Sequence, residues 1–210
     1  NFTTATDSYN TAVGYAAGIA VTTGKQNTLI GGNAGDALTD ADYNVALGYS
    51  ALSSDTLGSR SIAIGRSALS SQNFTSATDA YNVAVGFEAG TLVTTGVENT
   101  LIGGLAGDAI TTGSYNTAVG KSSLGANTTG VQNVAVGQAS LDANTTGNYN
   151  TGLGDNSLSA NTTASNNTAI GQASLFYNTT GANNVAVGKS ALTANTTGQR
   201  LVAVGTDSLD

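Results

Sequence analysis

The 210 residues include no Cys, His, Met, Trp or Pro, only 9% charged side chains and 28 Gly, with a formal net charge of -7. These absences exclude a disulfide framework, thiolate or imidazole metal sites, and Ser–His or Cys–His catalysis within the chain. The acidic balance argues against nucleic acid, no run approaches the ~18–20 apolar residues of a membrane helix, and no signal peptide is visible.

Along the chain one glycine recurs: Gly14, Gly31, Gly48, Gly65, Gly86, Gly103, Gly120, Gly137, Gly154, Gly171, Gly188 and Gly205. Every spacing is 17 residues except Gly65 to Gly86, which is 21. Three 17-residue spacings and one of 21 make a block of 72 residues, with a four-residue insertion near 73–76. The opening segment Asn1-Phe2-Thr3 returns as Asn73-Phe74-Thr75, so the block is repeated once before the chain settles into plain 17-mers. The repeat takes up residues 1–210 as one domain without a linker. The residue before each key glycine is Val, Ile or Leu, the one three before is Thr, Val or Ile, and the one three after is Ala or Ser, in all twelve units. Asn stands four before in ten of twelve, with Ser61 and Leu201 as the exceptions. Such column-specific chemistry argues against disorder. The lack of Met implies a segment that does not begin at its own start codon, and units that start and stop mid-pattern imply a longer fibre or end-to-end stacking.

A 17-residue unit is too short for helix pairs, which need ~33–47 residues. Val134-Ala135-Val136 alternates with period two and reads as a short strand, and Asn-Thr-Thr-Gly reads as a turn. The expectation is an all-β parallel solenoid or β-roll of about twelve coils, stacked ~4.8 Å apart into a rod of roughly 53 Å. The alternation puts Val134 and Val136 on one face, expected to fill a thin core with Leu141. It puts Asn133, Ala135 and Gly137 on the other, a small apolar face expected to meet the same face of another copy. Tyr9, Tyr43, Tyr81, Tyr115 and Tyr149 occur in alternate units, which spaces them about 9.6 Å apart.

Two stretches carry a resemblance. Ser61-Ile62-Ala63-Ile64-Gly65 followed by Ala68, and Asn184-Val185-Ala186-Val187-Gly188 followed by Ala191, resemble the head repeats of YadA-like trimeric autotransporter adhesins. The Asn-Thr-Thr-Gly units are similar to repeats of phage tail fibres and other bacterial surface fibres. The resemblance covers the whole chain and implies a left-handed β-roll in an intertwined or side-by-side homotrimer. It implies an extracellular location on a cell surface or virion, and an adhesive head or shaft facing a cell-surface or matrix receptor. The 17-residue unit departs from that family's shorter head repeat, and no stalk heptad, neck or membrane anchor stands in these residues. A phage tail fibre segment and an ice-binding or other lattice-binding solenoid are the alternatives. No enzyme activity, metal, cofactor, nucleic acid or membrane insertion is expected.

Each candidate residue has a structural reading beside the functional one. The Asn column (Asn10, Asn27, Asn44, Asn82, Asn99, Asn116, Asn133, Asn150, Asn167, Asn184) reads as a coil-to-coil amide ladder rather than a ligand site. Asn127, Asn144, Asn161, Asn178 and Asn195 begin formal glycosylation sequons, and a turn ladder is the competing reading. Neighbouring Thr in the turn would face opposite ways, which weakens a match to ice. Asp36, Asp40 and Asp42 lack calcium-loop spacing. Gly120-Lys121-Ser122 lacks the upstream glycine of a phosphate loop. The acids are scattered one per coil, unlike a hydrolase pair. Loops on rigid rods carry recognition, so Phe74, Tyr81 and Phe87 are candidates for an exposed aromatic spot, against a reading in which Phe74 tucks over the coil edge.

Overall fold

The computed structural model describes residues 7–210, so the expectation for the segment 1–3 lies outside the described residues. Twelve three-residue strands stand one per coil: β1 (Thr11–Val13), β2 (Thr28–Ile30), β3 (Val45–Leu47), β5 (Ile62–Ile64), β7 (Val83–Val85), β8 (Thr100–Ile102), β9 (Thr117–Val119), β10 (Val134–Val136), β11 (Thr151–Leu153), β12 (Thr168–Ile170), β13 (Val185–Val187) and β14 (Val202–Val204). They form one parallel sheet in chain order. Equivalent residues pair throughout, as Val134 pairs with Thr151 and Ala135 with Gly152. Two further short strands, β4 (Gly58–Ser59) and β6 (Thr78–Asp79), pair parallel beside the 21-residue coil. This is the expected β-solenoid.

The backbone turns by a rule that the column chemistry alone does not announce. Among the described residues, thirty-two other than Gly have φ between +49° and +64°, in three columns: five before, two after and four after the key glycine. None is Val, Ile or Thr, because a β-branched side chain fits the left-handed region worst. The left-handed turn aims each N–H along the rod. Leu141 donates to the Ser157 carbonyl at 3.0 Å, Ala139 to Lys121 at 3.0 Å, and Tyr149 to Val131 at 3.1 Å. Axial bonds of this kind hold a conformation that costs an isolated L-residue of order 1–2 kcal/mol. The key glycine takes a φ near +133° at Gly137, and a Cβ there would strike the carbonyl of Gly154 in the next coil.

The two faces of each strand are inverted relative to the sequence expectation. Ala135 and Asn133 are buried inside the coil, while Val134 is exposed and Val136 half-buried on the outside. Leu141 is inside as expected. No coil places a large residue both in mid-strand and four after the key glycine. Leu141 enters from the turn, so the strand can place only a small residue opposite. The predicted contact of Ala135 with another copy is therefore corrected: that face is consumed within the chain.

The 72-residue superperiod has a packing cause. In coils with Gly four after the key position, the missing volume comes from the strand. Leu101 carries its Cδ1 to within 2.7 Å of where a Cβ on Gly90 would stand, and its Cδ2 to the same distance from one on Gly107. Leu29 does the same for Gly18 and Gly35. Later coils place Leu124, Leu141, Leu158 and Leu175 at that column and Ala or Gly on the strand. The column that supplies the core bulk differs between the two kinds of coil.

Candidate functional site: the outward sheet face and its rims

The Asn residues bond in two directions. Asn133 Nδ2 donates to the Gly147 carbonyl at 2.8 Å in its own coil, and its Oδ1 accepts the Asn150 N–H at 3.0 Å. Asn116, Asn150, Asn167 and Asn184 each make both kinds of bond, and all but Asn116, at 1%, are wholly buried. This column offers no amide to a ligand. A second ladder lies across the core. Asn144, Asn161, Asn178 and Asn195 donate Nδ2 to the Oδ1 of the preceding Asn at 2.9–3.1 Å. Asn127, Asn144, Asn161 and Asn178 are buried, so a glycan on Nδ2 would occupy the core and break the ladder; the glycosylation reading is corrected for these four in the folded chain, while Asn195 is half-buried.

At the 21-residue coil the ladder is bridged by residues the sequence reading passed over. Ser61 replaces Asn, and buried Gln72 reaches in: its Nε2 donates to Ser61 Oγ at 3.0 Å and its Oε1 accepts from Asn82 Nδ2 at 2.8 Å. Buried Asp55 accepts from Gln72 Nε2 at 2.6 Å and from the N–H groups of Gly58 and Phe74 at 3.0 and 3.1 Å. The signal was present, since Asp55 and Gln72 occupy the column that elsewhere holds Val, Ile, Leu or Asn. Phe74 is 6% exposed. The exposed spot Phe74, Tyr81 and Phe87 is therefore corrected: Phe74 folds inward, and Tyr81 and Phe87 stand at opposite ends of β7.

The turn threonines differ within each pair. Thr111, Thr128, Thr145, Thr162 and Thr179 donate their hydroxyls to the carbonyl of the equivalent Thr in the next coil at 3.0–3.3 Å. Thr112, Thr129, Thr146, Thr163 and Thr180 are exposed. One exposed column remains on this edge, not a two-dimensional lattice. Asp40 accepts the Thr23 hydroxyl and Asp42 the Lys25 N–H. Among the described residues no group of three or more Asp or Glu is placed to hold a metal.

The outward sheet face is the remaining large feature. It consists of two columns, the residues three before and one before each key glycine. Of these 24 positions, 22 are Val, Ile or Thr and two are Leu; none is charged. Val13, Leu47, Ile102, Val134, Leu153, Ile170, Val202 and Val204 are exposed. Outside the strands run two rims, one through Tyr9, Tyr43, Tyr81, Tyr115 and Tyr149, the other through Tyr15, Tyr49 and Phe87; all eight aromatics are exposed. Between the aromatic rows stand Arg60 and Arg66. The Arg60 guanidinium carbon lies 4.6 Å from the Tyr43 ring centre and 5.8 Å from that of Tyr81, and its Nε pairs with Asp79 at 2.9 Å. The hydrogen bond to Asp79 raises the Arg60 pKa. Arg66 lies 5.3 Å from the Phe87 ring centre and pairs with Glu88 at 2.9 Å. On another edge, burial pushes the Asp108 carboxyl above the usual range, and Glu88 adds in the same direction. No protein-family model, curated protein or solved structure matches the chain.

Proposed function

We propose that this chain is a non-enzymatic segment of an extracellular fibre, an adhesin-like head or shaft that mediates or projects attachment. Copies stand side by side in it, three according to the YadA-like resemblance. The observation that carries the reading is a sheet of twelve in-register strands whose outward columns hold no charge. An uninterrupted stack suits a rod that spans distance. Its interior amides are occupied by the ladders, and its outward sheet face carries Val, Ile, Leu and Thr between aromatic rims. Aromatic and Arg residues at its rims are the side chains that dominate protein interfaces.

Immunogold labelling with antibodies against this segment tests the reading. Labelled fibres on intact source cells support a bacterial adhesin, and labelled tails on virions support the phage fibre. Label confined to the cell interior would overturn both.

A further inference from the structure

Five residues before the key glycine, tyrosine alternates with a polar residue. Gln26, Arg60, Glu98 and Gln132 each stand one coil from a tyrosine on either side. Successive tyrosines are two coil steps apart, about 9.6 Å. The Arg60 slot shows what such a pair of rings holds. The guanidinium carbon lies over the Tyr43 ring at 4.6 Å and over the Tyr81 ring at 5.8 Å, so each ring turns a face along the rod toward the coil between. Asp79 supplies a carboxylate 2.9 Å from Nε. A flat, weakly hydrated cation fills this gap because it stacks on the negative face of an aromatic ring.

The next slot has the same walls and the opposite charge. A planar ring has two faces, so Tyr81 turns its second one toward Glu98. Tyr115, on the far side, repeats the backbone of Tyr43: φ is 62° at both, and each N–H makes an axial bond of 3.0 Å. Both rings and Glu98 are exposed. The ion pairs among the described residues are Arg60 with Asp79 and Arg66 with Glu88, so the Glu98 carboxylate has no cation. Ring faces repel an anion and attract a cation. Two ring faces and a carboxylate therefore converge on one gap with no positive group between them.

We infer that the slot formed by Tyr81, Glu98 and Tyr115 binds an arginine side chain of a partner protein, stacked between the rings and paired with Glu98; this rests on the attachment reading and names the chemistry that the rim holds. Arg60 between Tyr43 and Tyr81 is the same arrangement made within the chain. A lysine ammonium is a compact, strongly hydrated charge with no plane to lie between the rings. A sugar laid along the rim would meet ring edges, since the faces point along the rod. The neutral Gln26 and Gln132 slots lack the carboxylate and serve as internal controls.

The probe is a blocked Gly-Gly-Arg-Gly-Gly peptide, titrated into the chain with isotope-labelled tyrosine rings and followed by NMR. The signals of Tyr81 and Tyr115 are expected to shift together, and those of Tyr9 and Tyr149 to stay. The same peptide with citrulline, which keeps the shape and loses the charge, is expected to shift neither. Glu98→Gln is expected to weaken the arginine peptide about fivefold. Tyr115→Leu is expected to weaken it about two- to fivefold. Both variants should keep the circular dichroism spectrum, since Leu stands at φ near +50° elsewhere in this chain. Equal shifts from the two peptides, or an unchanged response in Glu98→Gln, overturn the proposal. So does a shift of the whole tyrosine row by cellohexaose with none from the arginine peptide, which assigns the rim to a sugar. Arginine binding by a chain whose antibody labels only the cell interior sinks the attachment reading and keeps the slot. Labelled fibres with no arginine response do the reverse.

Discussion

The asparagine column shows what one residue does when it is stacked on itself. Asn133 satisfies a carbonyl in its own coil and an N–H in the next, so its side chain replaces two bonds that water would supply to an open turn. Removing it leaves the Asn150 N–H buried without a partner and the Gly147 carbonyl with Asn144 Nδ2 as its one side-chain donor. A buried group without a partner costs about 1–3 kcal/mol. Asn133→Ala is therefore expected to lower unfolding free energy by about 3 kcal/mol in a urea titration, whereas an equivalent change at an exposed turn threonine such as Thr146 stays within about 0.5 kcal/mol. The ladder was legible in the sequence because Asn recurs beside the strand in ten coils. The burial of the second Asn set was not legible, since Asn-Thr-Thr-Gly has the composition of any solvent-facing turn. What distinguishes it is the coil radius, which turns those amides inward.

At the scale of one coil, strand and turn compete for the same thin core. A large residue stands four after the key glycine, as Leu141 does, or in mid-strand, as Leu101 does, and no coil has both; Leu38 and Ile110 enter further along the coils of Leu29 and Leu101. Leu101→Ala is expected to cost about 3 kcal/mol through the cavity left beside Gly90 and Gly107. Gly107→Leu alone is expected to destabilise by overpacking against Leu101. The double variant Leu101→Ala/Gly107→Leu moves the bulk to the column used by later coils, where Leu sits at φ near +50°. It should recover roughly half of the Leu101→Ala loss. Thermal melts of the four proteins read this cycle, and strictly additive losses would refute the exchange. The strand's alternation was legible, but its orientation was not. Both faces are apolar, so period two alone gives no sign of which points inward; the Leu of the return segment decides it by filling the space.

For the molecule as a whole, stability is a sum over coils and the contacts between neighbours. Removing one whole unit, residues 134–150, rejoins equivalent positions and is expected to leave a folded, shorter rod with a lower melting temperature. Removing residues 134–149 instead shifts every later column by one position. That places Leu153, Ile170, Val187 and Val204 in the slots of the key glycine, where a Cβ strikes a neighbouring carbonyl. The expected result is loss of the β signal in circular dichroism for the segment that follows. The inserted coil tolerates four extra residues because they leave at an edge, where β4 and β6 pair and Asp55 ties down the Phe74 N–H.

The sequence by itself determined the period, the parallel stacking, the strand positions and the absence of thiol and imidazole chemistry. Each follows from a residue type recurring at a set interval, and stacking converts that interval into identity of neighbours. Only the tertiary structure decided which strand face is covered, that Asn127, Asn144, Asn161, Asn178 and Phe74 lie inside, and that Asp55 and Gln72 splice the ladder at the long coil. These depend on the width of the coil and on the hand of each turn. Both arise from where N–H groups must point to reach the next coil, a property of the closed loop that no single column carries.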